Sequence, residues 1–341
     1  MLAATLGQLA AGHDLSSEEM VRAMEFIMDG GASAGEIGLF LLGLRDKGET
    51  YTEVAAAAKV MRQRMTRIRS QRDNLIDTCG TGGDGAGTFN ISTAAALVTA
   101  AAGVPVAKHG NRKVSSTTGS ADVLRQLGVN VEADVATVEA CLEEVGVCFC
   151  FAPLLHSSMK HVADVRRELG VPTIFNIVGP LTNPAECPYQ LIGVGRAELR
   201  PLLAKALGVL GARRAFVVHG QDGLDELTLA AATDVSEAAN PSATERVYHE
   251  HVWAPEDFGL SRASLQSICV EGPEESAAMI QGVLDGNPGP AREITVLNAA
   301  ASLYTVGKFE DPLECAVAAA EAIDSGQAAL VLRKLADRTN S

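Results

Sequence analysis

Apolar residues in the first 70 positions recur at helical spacing. Met20, Val21, Met24, Ile27 and Met28 share one face of a helix that Gly30-Gly31 would stop. Residues 37–44 are apolar on nearly every side, and Ala55 to Ala58, Val60, Met61 and Met65 mark a third helix. Each of the three opens on a Ser/Thr-x-x-Glu capping box: Ser16/Glu19, Ser33/Glu36 and Thr50/Glu53. A helix apolar all round must be covered on more than one face, by its own domain or by a second subunit. The basic run Arg62, Arg64, Arg67, Arg69 and Arg72 reads as a solvated face.

From residue 75 short apolar runs alternate with helical patterns. Strands are expected at 75–79, 104–108, 147–151, 190–195 and 215–219, and helices at 91–102, 121–127, 135–145, 162–169 and 199–210. Around 246–252 polar and apolar residues alternate with no helix following, as in an antiparallel edge strand. Helices at 274–284, 297–304, 312–323 and 328–336 would close the chain. The predicted class is α/β: a small all-helical domain over residues 1–72, then a larger domain with a central, mostly parallel sheet wrapped by helices. Ligands then belong at the carboxyl ends of the strands.

Charge and cysteine content narrow the function. A net charge of −14 over 341 residues argues against a nucleic-acid partner, because such binding rests on basic surface. Seven cysteines without a CxxC point to neither a disulfide framework nor a zinc site. The longest apolar run, 94–107, is interrupted by Thr99, Gly103 and Pro105 and is too short to span a bilayer. With no secretory signal pattern at the start, a cytoplasmic protein with no membrane partner is expected.

Candidate chemistry collects after the strands. The first stretch, Gly80-Thr-Gly-Gly-Asp84 continuing to Asn90-Ile-Ser-Thr93, is a strand–glycine loop–helix arrangement whose backbone N–H groups suit a phosphate. It lacks the Gly-Lys-Ser/Thr of the ATP-binding loop. No acidic residue follows about 20 residues on to hold a ribose diol, so a sugar phosphate fits better than a dinucleotide. The second stretch, Lys108-His-Gly-Asn-Arg112 through Ser115 and Ser116 to Ser120, gathers cations and hydroxyls in an acidic protein and would form a second phosphate wall. The third, Gly220-Gln-Asp-Gly-Leu-Asp225-Glu226, sets two carboxylates on a turn, which suits Mg2+. Arg166, beside Arg167, is of the type that clasps a carboxylate. His249-Glu-His251 has metal-like spacing, but an exposed edge strand is the expected setting.

These motifs, with Met159-Lys-His161, Phe175-Asn176 and Gly179-Pro-Leu-Thr-Asn-Pro184, resemble the anthranilate phosphoribosyltransferases essentially end to end. The resemblance implies transfer of phosphoribose from phosphoribosyl pyrophosphate to anthranilate in tryptophan biosynthesis. It implies a homodimer joined through the helical parts, and that about 162–182 rejoin the small domain, leaving 73–161 and 183–341 as the α/β domain. By it Gly80, Gly83, Asp84, Thr88, Asn90, Ile91, Ser92, Thr93, Lys108, Asn111, Arg112, Ser115, Ser116 and Ser120 would hold the donor. Ser92, Asp225 and Glu226 would hold Mg2+, and Gly80, Asn111 and Arg166 would meet anthranilate. No general base is assigned. Ser157-Ser158, Pro172, Thr117-Thr118 and Ala231-Ala232 depart from the usual family pattern and bear on acceptor binding and loop closure. A pyrimidine-nucleoside phosphorylase, the nearest alternative, would carry a Lys-His-Ser-Thr-Gly-Gly loop, which is absent.

Overall fold

The structure, a computed structural model, describes residues 2–112, 118–242 and 245–341. All three capping boxes form. Ser16, Ser33 and Thr50 each accept from the backbone N–H of the glutamate three residues on, whose carboxylate accepts the cap N–H in return. They start α2 (Ser17–Met28), α3 (Ala34–Lys47) and α4 (Tyr51–Arg64), which follow a short helix, α1 (Ala3–Ala10). On α3 the residues Ile37, Phe40, Leu41 and Leu44 are buried, whereas Leu39 stands 62% exposed.

The basic run is not a helix face. Helix α4 ends at Arg64, and the connector beyond it is stitched to both flanking bodies. Arg62 Nε donates to the Leu181 carbonyl at 2.7 Å, Arg64 pairs with Asp29 at 2.9 Å, and the Arg69 N–H reaches Glu139 at 2.8 Å. Arg67 and Arg72 make longer, exposed pairs with Glu186 and Glu143, of the kind that adds little stability.

Next come β1 (Ile76–Gly80), α5 (Ile91–Ala101), β2 (Val106–Gly110), α6 (Ser120–Gln126), α7 (Val135–Glu144) and β3 (Val147–Phe151). The chain continues through α8 (Ala152–Leu155), α9 (Lys160–Leu169), α10 (Ile174–Val178), β4 (Tyr189–Gly193), α11 (Leu199–Leu210) and β5 (Arg214–Gly220). It closes with β6 (Thr233–Ser242), β7 (Glu245–Trp253), α12 (Pro273–Leu284), α13 (Pro290–Val306), α14 (Pro312–Asp324) and α15 (Gln327–Thr339). Among the described residues the strands make one seven-stranded sheet, ordered β3-β2-β1-β4-β5-β6-β7. The first five run parallel, and β6 and β7 add antiparallel, with β7 at the edge as its alternation predicts.

Strand residues alternate between two cores. Leu191, Phe216 and Val218 face α5 and the C-terminal helices, while Ile192, Ala215 and Val217 face α11 and the N-terminal bundle. Helix α9 packs on α2 and α3, and α10 on α3 and α4. Helix α13 runs well beyond the expected 297–304. Pro290 opens it where a missing N–H is harmless, and its buried Thr295, Ser302 and Thr305 hide their hydroxyls on carbonyls one turn back. Among the described residues no single helix is long and apolar enough to cross a membrane.

Candidate active site

Strand β1 is where the sheet changes direction: the chain leaves it for β2 and β3 on one side and returns as β4 and β5 on the other. The carboxyl ends of β1 and β4, paired Gly80 to Gly193, therefore open a crevice. The glycine loop fills its rim. Gly82, Gly83, Gly85 and Gly87 all have φ between 65° and 89°, a backbone only glycine adopts freely, and this turns successive N–H groups toward one concavity.

Across the crevice the turn after β5 carries Asp225 and Glu226. It lies so close to β4 that a Cβ on Gly193 would sit 1.5 Å from the Asp225 carbonyl oxygen, and one on Gly195 would sit 2.9 Å from the Asp84 nitrogen. Neither glycine is among the sequence candidates, although Gly193-Val-Gly195 at the end of an expected strand carries the signal. The Asp225 N–H points to Asp84 Oδ2 at 3.4 Å, so Asp84 joins the acidic pair.

Burial, reinforced by Asp84 and Glu226, holds the Asp225 carboxyl well above its ordinary range. Burial likewise raises Glu226 to about 7, against the pull of Lys108 and of hydrogen bonds from the Ser92 N–H and hydroxyl. Lys108 is 3% exposed and donates to the Thr78 carbonyl at 2.6 Å and to Ser92 Oγ at 3.0 Å. Lysine, serine and glutamate thus form one chain of contacts beneath the loop. Three carboxylates against one ammonium leave a deficit of positive charge. Among the described residues no cage of three or more metal ligands closes here; adjacent hard oxygen donors suit Mg2+, which takes one or two carboxylates and fills the rest of its shell with water and phosphate.

A cavity of about 260 Å3 lies between these walls, lined by Gly80, Asp84, Thr88, Asn90, Ile91, Ser92, Lys108, Asn111, Arg112, Ser120, Asp225 and Glu226. Two candidates stand back from it. Thr93 is buried with its hydroxyl on Asn90 Oδ1, and Gly83 backs the loop against Gly195. The Ile91 N–H is taken by the Phe89 carbonyl at 2.8 Å. Arg112 reaches the rim, but its guanidinium pairs with Glu132 and lies 5.3 Å over the Phe151 ring. Ser115, Ser116 and Thr117 lie outside the described residues.

A second cavity, about 520 Å3, adjoins the first and shares Gly80, His109 and Asn111 with it. Its further lining, Met61, Phe175, Pro180 and Ala163, is largely apolar, with Arg166 as a charged group on the wall. The Arg166 guanidinium lies 5.4 Å over the Phe175 ring, burial lowers its proton affinity, and it has no carboxylate partner among the described residues. Arg167 turns outward to Asp164. The sequence reading assigns no role to His156, yet its ring meets that of His109 here, Nε2 to Nε2 at 3.3 Å. His249 is exposed, as expected. His251 is half-buried instead, 2.8 Å from Glu237 and beside Trp253, because Glu237 on β6, a strand the sequence reading missed, supplies a partner.

Residues 4–65 match the helical bundle domain of a glycosyl transferase family, and residues 72–329 match that family's a/b domain. Anthranilate phosphoribosyltransferase of Thioalkalivibrio sulfidiphilus is 52% identical over 96% of both chains. The crystal structure of the Thermus thermophilus enzyme superposes with a TM-score of 0.91 at 41% identity, covering 98% of this chain and 99% of that one. The Saccharomyces cerevisiae enzyme, solved in complex with PRPP and Mg, superposes at 0.86 with 28% identity over 99% of this chain and 98% of that one. With family models covering most of its length and a curated relative 52% identical over 96% of both chains, the chain belongs to the anthranilate phosphoribosyltransferase family.

Proposed function

We propose that this chain transfers phosphoribose from phosphoribosyl pyrophosphate to the amine of anthranilate, giving N-(5-phosphoribosyl)anthranilate and pyrophosphate in tryptophan biosynthesis. The observation that carries the reading is the junction of two unlike cavities: a polar one walled by N–H groups and carboxylates, and an apolar one bearing the Arg166 guanidinium, which has no carboxylate partner among the described residues. An anionic sugar and an aromatic acid match them in turn.

In this reading Gly80, Gly83, Asp84, Thr88, Asn90, Ile91, Ser92, Thr93, Lys108, Asn111, Arg112, Ser115, Ser116 and Ser120 serve the donor. Most of them offer N–H or hydroxyl groups to its phosphates and sugar. Ser92, Asp225 and Glu226 would hold Mg2+, with Asp84 beside them. When bound, Mg2+ supplies positive charge to the leaving pyrophosphate oxygens. Lys108, fixed by Thr78 and Ser92, sets the carboxylates in place and balances part of their charge. The loop N–H groups, already aimed, stabilise charge that grows on pyrophosphate as the bond to the sugar carbon breaks. Arg166 binds the anthranilate carboxylate, Gly80 and Asn111 border both substrates, and the apolar wall keeps water from the sugar carbon. The arylamine is a competent nucleophile, so alignment provides much of the remaining rate.

The domain division that goes with this reading is a helical domain of 1–72 rejoined by about 162–182, and an α/β domain of 73–161 and 183–341. We place the protein in the cytoplasm as a homodimer joined through its helical parts, without nucleic-acid or membrane partners. The test is direct. Purified protein with Mg2+ and phosphoribosyl pyrophosphate should consume anthranilate, read as loss of its fluorescence; no loss, with intact folding, refutes the assignment.

A further inference from the structure

Among the described residues β1 and β2 are in register at Ile76 and Val106 alone, where the Ile76 N–H donates to the Pro105 carbonyl at 3.1 Å. By contrast β1 against β4, and β2 against β3, each run five residues in step. Were the first ladder to continue, its next rungs would join the Thr78 N–H to the Ala107 carbonyl and the His109 N–H to the Thr78 carbonyl.

Three of those four groups are held by side chains instead. Asp77 Oδ1 accepts the His109 N–H at 3.0 Å, Lys108 Nζ donates to the Thr78 carbonyl at 2.6 Å, and Asn183 Nδ2 donates to the Ala107 carbonyl at 2.7 Å. Asn183 is itself fixed, its Oδ1 accepting the Ala185 N–H at 2.8 Å. Asp77, Lys108 and Asn183 are each 3% exposed or less. Buried backbone groups need partners, so two strands can part inside a core where side chains take over the missing rungs.

The parting coincides with the passage between the two cavities. The residues common to both are Cys79, Gly80 and Thr81 at the end of β1, and His109, Gly110 and Asn111 at the end of β2. Beyond the passage, the start of α5 walls one cavity, and α9 with α10 walls the other. A ladder zipped to the strand ends would draw the two backbones to about 4.8 Å apart, which admits no ring between them.

Resting on the transfer reading above, we propose that Asp77 and Asn183 are positioning residues: with Lys108 they wedge β1 from β2, and the gap they hold is the doorway across which the arylamine meets the sugar carbon. Neither Asp77 nor Asn183 lines either cavity. Both act through the backbone of β2, at His109 and Ala107. The approach of nitrogen to carbon then depends on the width of the gap, and a displacement of about 1 Å there can cost about a hundredfold in rate.

Three variants test this. In Asp77→Ala the His109 N–H loses its acceptor and is free to turn to the Thr78 carbonyl, so a crystal structure should show residues 78–80 and 108–110 drawn together. In the transfer assay its kcat should fall at least about tenfold with the donor KM nearly unchanged, because the glycine loop and α5 are untouched. Asp77→Asn keeps an oxygen for the same N–H and should retain most of the activity. An unchanged kcat in folded Asp77→Ala would overturn the proposal. So would an equal loss in Asp77→Asn, which would show that the charge matters and not the accepted hydrogen bond. If Asp77→Ala does not fold, Asn183→Leu, which frees the Ala107 carbonyl, is read by the same criteria. If wild-type protein transfers nothing to anthranilate, the substrate assignment is at fault, and the variant crystal still decides on the wedge: a gap as wide as in the wild type overturns it.

Discussion

In the proposed reading Arg166 is the side chain that separates the two substrates. It is half-buried on the wall of the second cavity, its guanidinium 5.4 Å over the Phe175 ring, with no carboxylate partner among the described residues. Arg166→Ala should raise the KM for anthranilate tenfold or more, on the scale of a lost charge-assisted hydrogen bond, and leave the donor KM unchanged. Equal effects on both would refute its role. Asp225 and Glu226 are held in an environment that opposes their own charge, so without a divalent cation they strain the fold. Asp225→Asn with Glu226→Gln should abolish turnover without lowering the melting temperature. The sign follows from linkage: a carboxyl raised in the folded state stabilises fully below its unfolded value of 4.5, and that contribution is lost as pH rises through about 7. Metal-free wild-type protein should therefore melt progressively lower across that window, the double variant less so, and added Mg2+ should reverse the loss only in the wild type. A melting curve insensitive to both changes would contradict the account.

Elements with a strong period were legible in the sequence, and those without one were not. The three capping boxes fixed their helices because each is a closed, local exchange of hydrogen bonds. The strand expected at 147–151 and the helix at 199–210 fall at Val147–Phe151 and Leu199–Leu210. Strand β6 escaped notice because Thr233, Ser236 and Glu237 are buried polar residues whose partners, among them Arg200, Arg214 and His251, come from other elements. Helices α8 and α10 are too short to show a period. The glycine loop and the acidic turn were visible as motifs, but their contact through Gly193 is tertiary. Gly193→Ala should push the turn off β4, weaken the apparent Mg2+ affinity and lower kcat by an order of magnitude or more, measured in the transfer assay against Mg2+ concentration. Unaltered Mg2+ dependence would show that the turn need not sit there.

At the scale of the whole molecule, the site exists because a helical bundle closes over the carboxyl edge of the sheet. Met61 from α4 and Arg166 from α9 line the same cavity as Gly80 from β1. Nothing in the sequence pointed to the His109–His156 contact, since 47 residues and four elements, α6, α7, β3 and α8, separate them. Assembly belongs to this scale too. Leu39 stands outward on α3 of the bundle, so in the proposed homodimer Leu39→Glu should shift the protein toward monomer in light scattering, whereas a dimer unaffected by it would place the interface elsewhere. The central claim is that two adjoining cavities hold an activated sugar and an aromatic amine face to face. A crystal soaked with phosphoribosyl pyrophosphate, Mg2+ and an unreactive anthranilate analogue tests it most directly. The account predicts phosphates in the glycine loop, the metal at Asp225 and Glu226, and the analogue's carboxylate on Arg166. Density for the sugar away from the loop, or for the analogue away from Arg166, would contradict it.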